Sequence, residues 1–113
     1  MIKEKIEFSE FLEIEKKLEI RIGKIVEGEN VPKSDKLLKL TVDFGELGLK
    51  TCVTNLGQYH GPQVFDGVIL PFIMNLKPTK MMGVESEVMI MVTELDGIVE
   101  FGMDEFSIGS KLL

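Results

Sequence analysis

The sequence predicts an all-β protein: one small closed barrel with a short helix before it and an extension after it. Three observations carry this reading. Apolar residues alternate with period two over residues 38–44, a similar alternation breaks phase over residues 18–25, and glycine-containing breaks separate the short apolar runs. At 113 residues the chain suits one domain. A domain of this size buries roughly two-thirds of its unfolded surface, enough for a core without staples.

The elements follow in chain order. Ser9 is placed to cap a short helix running to Lys17, with Phe8, Phe11, Leu12 and Ile14 as its apolar contacts. Leu18, Ile20 and Ile22 then alternate with charged residues until the phase slips at Gly23-Lys24, so that Ile25 continues the apolar face. A slip at a glycine predicts a β-bulge there, which lets a strand bend around a barrel. Leu38, Leu40, Val42 and Phe44 form an apolar face opposite Leu37, Lys39, Thr41 and Asp43. Gly45-Glu46-Leu47-Gly48 supplies the turn into a third strand over 49–56, whose irregular alternation leaves its inward face unassigned. Residues 57–67 contain Pro62 and leave room for one helical turn. Buried strands are expected at 68–74 and 88–93, with a long polar loop over 75–87 between them and a weak sixth strand at 98–101.

Five short strands, a bulged first one, a connection after the third and a long loop after the fourth match an OB-fold layout. Periodicity alone also admits another small barrel or a sandwich. The expected organisation is a helical segment over 1–17, the barrel over 18–94 and a C-terminal extension over 95–113.

The formal net charge of −6 argues against indiscriminate nucleic-acid binding, but the charge is unevenly spread. Residues 20–80 carry a net +2, whereas residues 81–113 carry −6. A basic face on the middle of the chain is compatible with that split. One cysteine, Cys52, excludes an internal disulfide and suits a reducing compartment. The charged N-terminus resembles no signal peptide, and the longest apolar run, 68–74, is far shorter than the roughly 20 residues of a spanning helix. A cytoplasmic protein without a membrane segment is expected.

Catalysis has no visible carrier. His60 is the single histidine, so no zinc site of ordinary ligand count can be assembled. Cys52 lies mid-strand with no motif around it and is expected to be a packed, inert thiol. No glycine pattern opens a helix as a phosphate-binding loop requires. No enzyme activity, metal or cofactor is expected.

The most informative segment is Asn75-Leu76-Lys77-Pro78-Thr79-Lys80-Met81-Met82-Gly83-Val84-Glu85-Ser86. Pro78 stiffens it and Gly83 permits a positive φ. Lys77 and Lys80 place two cations on one loop, with Asn75 and Ser86 offering hydrogen bonds at its ends. That set suits phosphate and sugar oxygens.

Four stretches together are similar to a known family: Ile20-Arg21-Ile22-Gly23-Lys24-Ile25, Ser34-Asp35-Lys36-Leu37-Leu38-Lys39-Leu40, Val42-Asp43-Phe44-Gly45, and the segment from Asn75 to Ser86. Residues 18–94 resemble the tRNA-binding domain found in small dimeric tRNA-binding proteins, at the C-terminus of many methionyl-tRNA synthetases, and in CsaA-type export chaperones. The resemblance implies an OB-fold that grips the outside corner of tRNA by shape and backbone. It also implies a homodimer in the free-standing members. By residue match, Asn75, Lys77, Lys80 and Ser86 carry over as RNA contacts, and Lys50 falls where the family usually has a basic residue. Arg21 and Lys39 are expected to add phosphate contacts. Two stretches depart from the pattern. Val53-Thr54-Asn55-Leu56 stands where tRNA-binding members read Val-Ser-Gly-Ile/Leu, and Glu87-Val88 follows Ser86 as in the CsaA chaperones. The readings are thus a tRNA-binding accessory protein, a CsaA-like chaperone holding unfolded polypeptides against its methionines, and an assembly module docking on an aminoacyl-tRNA synthetase.

Overall fold

The alternating stretch at 38–44 forms part of the barrel wall in a computed structural model, which describes residues 2–58, 60–92 and 108–111. The sixth strand expected at 98–101, and all of the extension over 95–113 except 108–111, lie outside the described residues. Helix α1 (Phe8–Glu15) precedes β1 (Ile20–Asn30), β2 (Leu38–Asp43), β3 (Leu49–Thr54), β4 (Ile69–Ile73), β5 (Thr79–Met81), β6 (Val84–Ser86) and β7 (Met89–Ile90). Five of these make one antiparallel sheet in the order β3-β2-β1-β4-β7, and β5 pairs with β6 as a separate hairpin. The sheet curls so that β6 and β7 return against β3. This is the OB-like barrel that the strand pattern predicts.

Leu38, Leu40, Val42 and Phe44 all point inward and are fully buried, together with Ile25, Phe65, Leu70 and Phe72. The rings of Phe44 and Phe72 meet edge to face at 5.4 Å between centroids, a geometry favoured by the aromatic quadrupole. Short 3-10 turns at Asn55–Gln58 and Pro62–Phe65 occupy the connection after β3, and the second delivers Phe65 to the core.

Strand β1 corrects two expectations. It pairs with β4 through Ile20–Lys24 and with β2 through Lys24–Asn30, so its two halves serve different neighbours. Gly23 lies opposite core residue Leu70, whereas Ile22 turns to the other face and is buried where residues 108–111 run alongside. Ile22 N–H donates to the Ser110 carbonyl at 3.0 Å, and Gly109 N–H donates to the Ile22 carbonyl at 2.7 Å. The slip in the apolar pattern therefore marks a change of buried face along one strand. The bulge sits later, where the register shifts between Ile25 and Glu27 and leaves Val26 exposed.

Helix α1 starts one residue before the expected cap. Glu7 occupies the N-cap position without a side-chain cap, and Ser9 lies within the helix. No residue of α1 is buried; Phe8 stacks on Phe11 with ring centroids 6.0 Å apart. The segment expected as a loop over 75–87 contains the β5–β6 hairpin. Its two turn residues, Met82 and Gly83, have φ of 53° and 84°, as in the tight turns that match strand twist. Three-residue strands are too short to display alternation, and Met is not a residue that announces a left-handed turn.

Gly23 is a close-approach position. A Cβ there would lie 2.6 Å from Val42 Cγ1 and 2.7 Å from Phe44 Cε1, both on fully buried side chains. Gly23→Ala is expected to lower stability by about 1–3 kcal/mol, the usual cost of overpacking a filled core, as read from the midpoint of urea unfolding.

Candidate nucleic-acid interface

The barrel is closed by side chains as much as by backbone. Glu87 N–H donates to the Thr51 carbonyl at 2.8 Å, and Thr51 N–H donates back to Glu87 Oε1 at 3.0 Å. Val53 N–H donates to Ser86 Oγ at 3.0 Å, and the Ser86 hydroxyl donates to the Val88 carbonyl at 3.2 Å. These bonds hold the β5–β6 hairpin against the outer edge of β3.

Between that hairpin and the end of β3 runs a groove of about 700 Å³. Leu37, Val53, Leu56, Leu76, Met81 and Met89 give it an apolar lining, and Thr54, Asn55, Lys77 and Thr79 place polar groups on its wall. Its size falls in the ordinary range of ligand sites.

The structure separates the seven expected contact residues by what already engages them. Ser86 is buried in the seam, with its hydroxyl both accepting and donating. Asn75 ties the start of β1 to the chain after β4: its Oδ1 accepts from Glu19 N–H at 2.9 Å and its Nδ2 donates to the Lys17 carbonyl at 2.6 Å. Arg21 Nε donates to Glu19 Oε2 at 2.7 Å and Arg21 Nη1 to the Gly109 carbonyl at 3.1 Å, which clamps residues 108–111 to β1. Lys39 lies 3.6 Å from Glu29 across the β1–β2 ladder, and Lys50 lies 4.0 Å from Glu87. Lys77, two residues before β5, and Lys80, on β5, are exposed, and no ion pair with either is found among the described residues. Lys77 lines the groove, and Lys80 stands on β5 directly across the ladder from Glu85.

Sequence reasoning left out Thr54, Asn55, Leu76 and Thr79, which the fold gathers onto the groove wall. For Asn55 a signal existed in the departure from Val-Ser-Gly-Ile/Leu. Glu87, which departs from the family pattern after Ser86, accepts from Thr51 N–H with one oxygen and holds the other near Lys50.

A family model described as "Putative tRNA binding domain" matches residues 20–107. The chain belongs to the tRNA-binding domain family. This tRNA-binding domain is 44% identical over 93 residues to a methionine–tRNA ligase of Porphyromonas gingivalis, a match covering 82% of the chain and 13% of the ligase. It thus spans about one-eighth of the length of that relative. Among solved structures it is similar to a MetRS-related protein from Pyrococcus horikoshii, with a TM-score of 0.79 and 30% identity over 98% of this chain and 100% of that one. It is also similar to the chaperone CsaA of Bacillus anthracis, with a TM-score of 0.75 and 27% identity over 97% and 100%.

Other chemistry is confined. Burial pushes the Cys52 thiol up to about 12, opposed only by a hydrogen bond with the Ile90 backbone, and a protonated thiol is a poor nucleophile. Among the described residues no group of three His, Cys, Asp or Glu side chains is placed to hold a metal ion, and no helix is long and apolar enough to cross a membrane.

Ser86→Ala strands the Val53 N–H and the Val88 carbonyl at the seam. An expected loss of about 1–3 kcal/mol follows from leaving buried polar groups unpaired, measurable by thermal or chemical denaturation.

Proposed function

We propose that this chain is a non-catalytic, cytoplasmic tRNA-binding protein that holds the sugar–phosphate backbone of tRNA against the β5–β6 hairpin and the adjoining β2–β3 face. The observation that carries the reading is the pair Lys77 and Lys80, exposed and without ion pairs among the described residues, at the entry to and on a hairpin pinned to a barrel of the tRNA-binding family. Lys39 on β2 and Lys50 on β3 add further positive charge, each beside one carboxylate and on opposite faces of the sheet, since Lys39 pairs with Val53 and Lys50 with Val42. Phosphate contacts of this kind position an RNA without reading its sequence. The barrel over 18–94 is the binding unit in this proposal, and Asn75, Ser86 and Arg21 contribute by fixing the elements that present the lysines. A synthetase is a natural partner for such a module, given the ligases that carry a similar stretch.

A second reading, peptide holding, is favoured by one observation. Met81, Met82 and Met89 are all substantially exposed beside the groove, and methionine adapts to varied apolar partners. The similarity to a CsaA chaperone points the same way.

Lys77→Ala with Lys80→Ala separates the two. Under the RNA reading, the double variant binds different tRNAs more weakly to a similar degree, and the log–log salt slope flattens by roughly 0.7–0.9 per lost contact. Filter binding at several salt concentrations, beginning low because of the net charge of −6, checks this. Little salt dependence, with greater sensitivity to changes at Met81 or Met82, supports peptide holding instead.

The same proposal includes a homodimer built on α1 and the C-terminal extension over 95–113. Ile6, Phe8, Phe11, Leu12 and Ile14 are all exposed, an apolar face that one protomer leaves uncovered. Light scattering at micromolar concentration is expected to return twice the 12.7 kDa chain mass; the monomer mass rejects the dimer.

A further inference from the structure

We propose that the groove between β3 and the β5–β6 hairpin takes a single unstacked RNA base, with the Asn55 amide hydrogen-bonding the edge of that base and Lys77 holding its phosphate. The proposal rests on the RNA-binding reading and adds to it. Recognition by shape and backbone alone needs only the lysines, whereas this groove offers apolar walls and an amide beside them.

Four features favour a base. The lining side chains Leu37, Val53, Leu56 and Leu76 supply apolar contact for a ring face. Asn55 stands exposed at the start of the 3-10 turn after β3, and no hydrogen bond engages its side chain among the described residues. An asparagine amide presents one donor and one acceptor side by side, the pattern that complements adenine. Glu87 also lines the groove, but its carboxylate is committed to Thr51 N–H and lies near Lys50, so its charge is compensated.

An extended polypeptide fits the same wall less well. Strand addition needs free backbone groups on a sheet edge, and on β3 the N–H groups of Thr51 and Val53 are already taken by Glu87 and Ser86. The charge is also suited to a phosphate, since Lys77 lines the groove and Lys80 lies three residues beyond it.

The probe is a hairpin RNA with a loop of unpaired adenosines, compared with a perfect duplex of equal length, in fluorescence anisotropy at low salt. The full chain is expected to bind the looped RNA about five- to tenfold more tightly than the duplex, the discrimination of one well-formed amide–base pair. Asn55→Gly and, as a second variant at an exposed apolar position, Leu76→Ser are expected to abolish that preference while leaving duplex binding unchanged. A 2-aminopurine placed in the loop is expected to brighten on binding, because it leaves its stacked neighbours for a groove with no aromatic lining among the described residues. Equal affinity for loop and duplex, or a preference untouched by Asn55→Gly, overturns base capture and leaves the phosphate reading standing. No binding of either RNA overturns both. Displacement of bound loop RNA by an unfolded polypeptide, with loss of that competition in Leu76→Ser, assigns the groove to peptide and also overturns the proposal.

Discussion

Every feature that recommends this surface as an interface depends on how the barrel closes. A sheet of five strands in the order β3-β2-β1-β4-β7 leaves an unpaired edge on β3, and an open edge is a site for unwanted pairing. β7 contributes only Met89 and Ile90 to the ladder with β4, too little to seal the gap with backbone alone. Ser86 and Glu87 complete it. One hydroxyl and one carboxylate accept the N–H groups of Val53 and Thr51, and the Glu87 N–H returns a bond to Thr51. Because the seam uses side chains, the hairpin just before it is held at a set distance from β3. The groove is the space that distance leaves.

The seam also organises charge. Glu87 would be an unwelcome anion beside an RNA, but the bond from Thr51 and the proximity of Lys50 hold it to a structural task. Lys39 is similarly matched with Glu29. Exposed pairs of this kind contribute little stability, so their effect is mainly on the local field. Lys77, beside the groove, enters no ion pair among the described residues. A chain with net charge −6 can thus present a basic surface without being a general polyanion binder.

At the opposite end of the hierarchy, Gly23 shows how one missing side chain sets a packing arrangement. Phe44 and Val42 occupy the volume a Cβ would need, and Phe44 in turn packs its ring against Phe72 on β4. The centre of the barrel is therefore tied to both neighbours of β1. Arg21 and the backbone of Ile22 bind residues 108–111 along the first half of the same strand, so the strand with the most neighbours is also the one with the strictest sequence demands.

The barrel itself was legible in the sequence because strand burial follows a period of two: Leu38, Leu40, Val42 and Phe44 had one inward face available and all four take it. Family membership was legible for a related reason, since its motifs are local strings that need no folding to be read. Local pattern failed where burial is decided by distant chain. The slip at Gly23 looked like a bulge, but residues 108–111 bury the other face of β1 at Ile22. Asn75 and Ser86, polar residues at the ends of a loop, gave no sign that Lys17, Glu19 and Val53 would claim their side chains. The groove was invisible for the same reason: Leu37, Asn55 and Leu76 are far apart in sequence and meet only when β6 and β7 return to β3. Sequence periodicity determined which residues form the wall. The hydrogen bonds that close the wall decided which polar side chains stay free to meet a partner.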